Sequence, residues 1–210
     1  MKPIKIILIQ TILEMKYNIS SDKIVGLYPF GSITYGTQTE KSDYDFVVIV
    51  DMETDYIQYE SEDVDIHIMS INRYKTLLDK HDIMALEVYF NPKPILKFET
   101  TTKIDLIKLR HSISKVVSNS WVKAFKKVSL ENEDDWVGYK SLFHSLRILD
   151  FGIQIAKYGK ITLYTNMQPL WKSIVVMINE GKDIETIMKY FKPLLNENST
   201  EFRKLAPKKR

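Results

Sequence analysis

Between Ile24 and Val50 the sequence reads Ile-Val-Gly-Leu-Tyr-Pro-Phe-Gly-Ser-Ile-Thr-Tyr-Gly-Thr-Gln-Thr-Glu-Lys-Ser-Asp-Tyr-Asp-Phe-Val-Val-Ile-Val. No other part of the chain restricts the fold as tightly. An apolar run, Ile24 to Phe30, stops at Gly31-Ser32, and a polar loop rich in turn residues follows. A second apolar run, Phe46 to Val50, then opens directly after Asp43 and Asp45. Short apolar runs bounded by turn signals read as strands. In an extended strand alternate side chains share a face, so Asp43 and Asp45 point one way, about 7 Å apart, and Tyr44 and Phe46 the other.

Two carboxylates on one face suit hard cations. Mg²⁺ prefers oxygen ligands and keeps positions for water and phosphate, which matches aspartates better than a histidine or cysteine cluster. A third carboxylate would complete a site for two ions roughly 3.5–4 Å apart. Asp65 offers one, in the alternating run Val64-Asp65-Ile66-His67-Ile68-Met69 that reads as a further strand. Asp63 shares that strand face and is an alternative third ligand; His67 shares it too and reads as a surface or supporting residue. Gly31 lets the backbone approach a ligand closely. Ser32, opening a short helix, can leave its hydroxyl and N–H groups for phosphate oxygens.

Composition narrows the classes further. The chain of 210 residues suits one sizeable domain or two small ones. It has no cysteine, which excludes disulfides, thiolate zinc sites and cysteine nucleophiles. The opening Met1-Lys2-Pro3-Ile4-Lys5 and the apolar residues after it resemble a signal peptide only superficially, because Gln10 and Thr11 interrupt the run and helical spacing resumes. No apolar run approaches the roughly 20 residues that span a bilayer, so a cytoplasmic location with no membrane partner is expected. The net charge of +3 does not by itself argue for nucleic acid. Its distribution is uneven: seven Lys or Arg and only Asp105 as an acid lie between Lys103 and Lys127, while Asp and Glu crowd Asp43 to Glu62.

In chain order, a first amphipathic helix is expected over 5–18, strands over 24–30, 46–51 and 64–70, and a brief helix over 32–36. The acidic 52–63 reads as a hairpin-like excursion, and 71–81 and 83–90 as helices with Asp82 as cap. Asn91-Pro92-Lys93-Pro94 breaks what precedes it, because proline donates no backbone hydrogen bond and restricts its predecessor. The boundary is placed there, giving domains 1–98 and 99–210. Beyond it the pattern is helical. From Thr102, Leu106, Leu109, Ile113, Val116, Val117, Trp121, Ala124 and Val128 form one stripe. A second long helix, 134–158, carries Leu142, Leu146, Leu149, Ile153 and Ala156. Shorter helices are expected over 170–180 and 184–195, with a polar, frayed tail from Asn196 to the terminal Lys208-Lys209-Arg210.

With these residues in hand, the N-terminal half resembles the DNA polymerase β-type nucleotidyltransferase superfamily. Gly31-Ser32, a ten-residue spacer, Asp43-x-Asp45 and a later Asp65 follow its signature. The fuller wording Gly-Ser-x-x-Tyr-Gly-Thr with Ser-Asp-Tyr-Asp-Phe is similar to a predicted-nucleotidyltransferase branch of bacteria and phages. That branch often carries a helix like Tyr139-Lys140-x-x-x-His144-x-x-Arg147. The resemblance implies an α+β fold: a polymerase β-like domain with a short mixed sheet flanked by helices, then an all-helical domain closing the nucleotide and acceptor cleft. It implies Mg²⁺-dependent (or Mn²⁺-dependent) transfer of a nucleoside monophosphate from an NTP, ATP included, to a hydroxyl acceptor, with release of pyrophosphate. Asp43 and Asp45 would bind both metals, Asp65 the catalytic metal and the acceptor hydroxyl, and Gly31-Ser32 the β and γ phosphates.

Other positions admit two readings. Lys140, His144 and Arg147 project from one helix face. That face is either solvated or, across a cleft, a cradle for triphosphate and leaving pyrophosphate, for which the planar fork of Arg147 is best suited. Lys108, Lys115 and Lys126 are either a solubilising face or acceptor contacts, with RNA among the acceptors. Tyr35 is either a packed loop residue or a base-stacking one. The competing function is a non-catalytic nucleotide-binding or antitoxin-like regulatory module of the same fold, and a third is a nucleic-acid-binding protein working through Lys103 to Lys127. Acceptor, base preference and oligomeric state do not follow from the sequence.

Overall fold

The computed structural model describes residues 3–40, 42–128 and 135–208. Lys41 of the loop, the expected helix start at Asp134 and the terminal Lys209-Arg210 lie outside the described residues, as does the side chain of Val128. The chain divides into two compact units. One comprises Met1–Thr34, Gln38–Asp79 and Val88–Thr102, and the other Tyr35–Thr37, Lys80–Glu87 and Lys103–Arg210.

The first unit is built on a sheet. Helix α1 (Pro3–Tyr17) precedes β1 (Ile24–Phe30), the short α2 (Gly31–Tyr35), β2 (Tyr44–Val50), β3 (Ile57–Glu60), β4 (Val64–Ser70) and α3 (Ile71–Asp79). The strand order is β1-β2-β4-β3, with β1 antiparallel to β2, β2 parallel to β4, and β3 antiparallel to β4. The sheet is therefore mixed. The acidic excursion contains β3, which forms a hairpin with β4. Strand β2 begins at Tyr44, two residues earlier than the apolar run suggests, so Asp45 lies inside the strand and Asp43 just before it.

Period-2 alternation decides what the faces do. On β2, Phe46, Val48 and Val50 join Val64, Ile66 and Ile68 of β4 in one cluster with Ile9 and Leu13 of α1; all but Val64, at 1%, are fully buried. Tyr44 packs against the same cluster, as the parity of the strand requires. The other face carries Asp45, Val47 and Ile49 of β2 and Asp65, His67 and Met69 of β4. It is apolar at one end and charged at the other. The proline-rich segment stays with this unit: Leu27 and Leu96 form a β-bridge, Asn91 Nδ2 donates to the Pro29 carbonyl at 2.8 Å, and Phe98 N–H donates to the Tyr28 hydroxyl at 2.7 Å.

The second unit is helical. It holds most of α4 (Ile83–Tyr89), then α5 (Leu106–Val128), α6 (Asp135–Tyr158), α7 (Gln168–Asn179) and α8 (Ile184–Leu205). Asp82 caps α4, its Oδ1 accepting from Met84 N–H at 3.0 Å and Ala85 N–H at 3.4 Å. Asp105 does the same for α5 through Ile107 and Lys108, which sets the helix start at 106 rather than 102. Leu109, Ile113, Val117 and Ala124 of the expected α5 stripe are buried, whereas Leu106 is 36% exposed. Leu142, Leu146, Leu149 and Ile153 of α6 are buried as expected. The expected tail is wrong: α8 runs on to Leu205 through Pro193, because Phe202 and Ala206 beyond the polar stretch are buried and hold the last turns in place.

Candidate active site

Four side chains share one row across the sheet. Phe30 on β1 pairs with Asp45 on β2, Asp45 with Asp65 on β4, and Asp65 with Glu60 on β3. Directly opposed residues point to the same face with strands about 4.8 Å apart, so three carboxylates stand in line. The segment before β2 adds Asp43, half-buried. Such a row opposes folding through like-charge repulsion and needs cationic or hydrogen-bonding compensation.

Part of that compensation is present. Gln58 Nε2 donates to Glu60 Oε1 at 2.6 Å and to Asp65 Oδ2 at 3.1 Å, bridging the two carboxylates. His67 Nε2 stands 3.8 Å from Asp65 Oδ2, its Nδ1 hydrogen-bonds the Tyr56 hydroxyl, and its ring meets Phe30 edge-on. Burial raises the Asp65 carboxyl above its ordinary value; Glu60 and Asp43 add to the rise, and His67 and Gln58 oppose it. Burial lowers His67, against the pull of Asp65 and Glu60. The charge of Asp43 thus reaches Asp65. Asp63, by contrast, is exposed, and its carbonyl is tied to Tyr44 N–H at 2.9 Å.

Gly31 joins the site through a steric demand. It has φ +63°, and a Cβ placed there would lie 1.7 Å from Asp45 Oδ2. Only a glycine lets the Asp45 carboxylate lie against this turn. The Ser32 hydroxyl beside it is buried and has no hydrogen-bond partner among the described residues. An unsatisfied buried hydroxyl costs about 1–3 kcal/mol, a cost that a phosphate oxygen accepting from it would remove. Asp43, Asp45 and Asp65 offer only oxygen donors, the set that Mg²⁺ prefers, and they fit such an ion by chemistry. Among the described residues no three His, Asp or Glu side chains are already gathered as a metal cage.

The match to known proteins can be set against this geometry. The family model for the nucleotidyltransferase domain matches residues 9–128. The chain belongs to the nucleotidyltransferase family. No curated protein matches the chain. The match begins within α1, takes in the rest of the first unit and continues to the end of α5, and it brings with it transferase activity on nucleotides as the family's general chemistry.

For this nucleotidyltransferase the remaining expected residues belong to the helical unit. Lys140 is exposed, but Arg147 is only 2% exposed, and its charge is not offered to solvent. Its Nη1 meets Glu87 Oε2 at 3.1 Å, its Nη2 donates to His144 Nδ1 at 2.9 Å, and its guanidinium lies 3.5 Å from the Tyr35 ring centroid. Tyr35 donates to Glu87 Oε2 at 2.6 Å, and Tyr164 to the Glu87 carbonyl at 2.6 Å. Burial pushes Glu87 up, with Arg147 and Tyr35 opposing it. Burial and the neighbouring Arg147 push His144 down to about 3. Tyr35 is therefore a packed residue, and the expected basic face contains a buried ion pair. Glu60, Gln58 and Tyr56 are not among the expected site residues; the alternation in Ile57-Gln58-Tyr59-Glu60 is the available signal, within the stretch expected as an acidic, hairpin-like excursion.

Proposed function

We propose that the chain transfers a nucleoside monophosphate from an NTP to a hydroxyl acceptor and releases pyrophosphate. The observation that carries this reading is the pairing of Asp45 with Asp65 on adjacent parallel strands, with Gly31 held against Asp45. Asp43, Asp45 and Asp65 would hold Mg²⁺ or Mn²⁺, and Ser32 would donate to a phosphate oxygen. The cation, when bound, supplies positive charge against the triphosphate. In the transfer, the acceptor oxygen forms a bond to the α-phosphorus, the bond from that phosphorus to the pyrophosphate oxygen breaks, and the acceptor proton passes to the Asp65 carboxylate. Gln58 and His67 orient it, and its place opposite Asp45 favours it over Asp63 as the third carboxylate.

The test uses each labelled NTP with Mg²⁺ or Mn²⁺ and a mixture of RNA, proteins and small metabolites. Wild type is expected to transfer label and the Asp43→Asn, Asp45→Asn double variant to transfer none. Equal labelling by the two would refute the assignment.

A further inference from the structure

Helices α5 and α8 of the helical unit leave a groove between them. One end is an open hollow of about 680 Å³ lined by Arg110, His111, Lys115, Arg203 and Lys208 with Ile107 and Ser114. A second hollow of about 410 Å³ shares Arg203 and continues to Trp121, Val122 and Lys192. On each helix the lining positions recur at three- and four-residue intervals, so the groove follows both helix axes. From Ile107 to Trp121 it extends about 21 Å along α5.

The chemistry of the lining is one-sided. Among the described residues neither hollow is lined by an aspartate or glutamate, and none of Lys115, Arg203 and Lys208 forms an ion pair there. Arg110 is fixed in the groove wall, its Nη1 donating to the Ala206 carbonyl at 2.8 Å and the Arg203 carbonyl at 3.3 Å. Apolar surface is interleaved with these cations: Ile107 is 46% and Val122 51% exposed, and Lys192 Nζ lies 5.1 Å from the Trp121 ring centroid. A duplex presents chiefly phosphate to a basic surface. A single strand presents phosphate and unpaired bases together, and a positive groove with an aromatic stacking surface is what such a strand requires.

We propose that the α5–α8 groove binds single-stranded nucleic acid, with phosphates on the Arg110 to Lys208 end and a base against Trp121. The binding itself needs no aspartate. The experiment measures anisotropy of a labelled 12-nucleotide single-stranded RNA with the full chain across a salt series. Log affinity should fall linearly with log salt. The Lys115→Gln, Arg203→Gln, Lys208→Gln variant should lower that slope by about 2, at about 0.7 per lost phosphate contact on single strands. Trp121→Leu should weaken binding about 5- to 150-fold, the loss of one base–aromatic stack, and Val122→Glu, at an exposed position, should weaken it with the fold intact. The Asp43→Asn, Asp45→Asn variant should bind as wild type does, whether or not the wild type transfers label. Unchanged slope in the triple variant, equal affinity for a duplex of the same length, or displacement by inorganic tripolyphosphate at matched phosphate concentration would each overturn the proposal.

Discussion

Mild acid should attack the helical unit through His144. In the folded chain this imidazole is neutral, since its Nδ1 accepts from the permanently charged Arg147. Burial, Arg147 and, more weakly, Lys123 hold it down at about 3, against about 6.5 in an unfolded chain. Between those values the unfolded state binds more protons, so stability rises with pH through this window. The contribution is complete above about 6.5 and is lost as pH falls toward 3. At about 1.4 kcal/mol per unit, acidification from pH 7.5 to 5 removes about 2 kcal/mol through this residue alone. His144→Asn keeps an acceptor for Arg147 and removes the titration. Urea unfolding of both proteins at the two pH values isolates the effect, because carboxylate titrations are common to both. The wild type should lose about 2 kcal/mol more than the variant. Equal losses would refute the buried, neutral imidazole.

Three further outcomes follow from the geometry. Glu87→Ala strands the Arg147 guanidinium in the interior and should cost about 3–5 kcal/mol in chemical denaturation, with Glu87→Gln losing less because an amide oxygen still accepts from Arg147 and Tyr35. Gly31→Ala drives a methyl into the Asp45 carboxylate, so label transfer should vanish while far-ultraviolet circular dichroism still reports a folded chain. Asp45→Asn relieves a like-charge opposition worth about 0.2–1 kcal/mol; its metal-free melting temperature should rise by up to roughly 4 °C, and the upward shift that Mg²⁺ gives the wild type should be absent.

The sheet was the most legible part of the sequence. Strands β1 and β4 fall at the expected residues, because each is an apolar run bounded by turn residues. Asp45 and Asp65 could be found from parity alone, but their lateral pairing could not: it depends on β2 and β4 being parallel and in register, a relation between segments that neither contains. Glu60 was hidden for the same reason. On α6, spacing placed Lys140, His144 and Arg147 on one face but could not say what lay opposite. The partner of Arg147 is Glu87, 60 residues away, and nothing local to either marks the pair. Helix α8 outran its expected end because Phe202 is a tertiary anchor, and the polar stretch before it carries no such information.

Tyr35–Thr37 and Lys80–Glu87 belong with the helices although they lie inside the N-terminal half of the chain. A crossover at the Asn91-Pro92-Lys93-Pro94 break, the natural seam by sequence, would leave Tyr35 and Glu87 in one product and Arg147 in the other. Each recombinant would inherit half of an ion pair made for burial. A helical half acquired at that seam would have to bring its own cation at the place of Arg147 to match the Glu87 that stays behind.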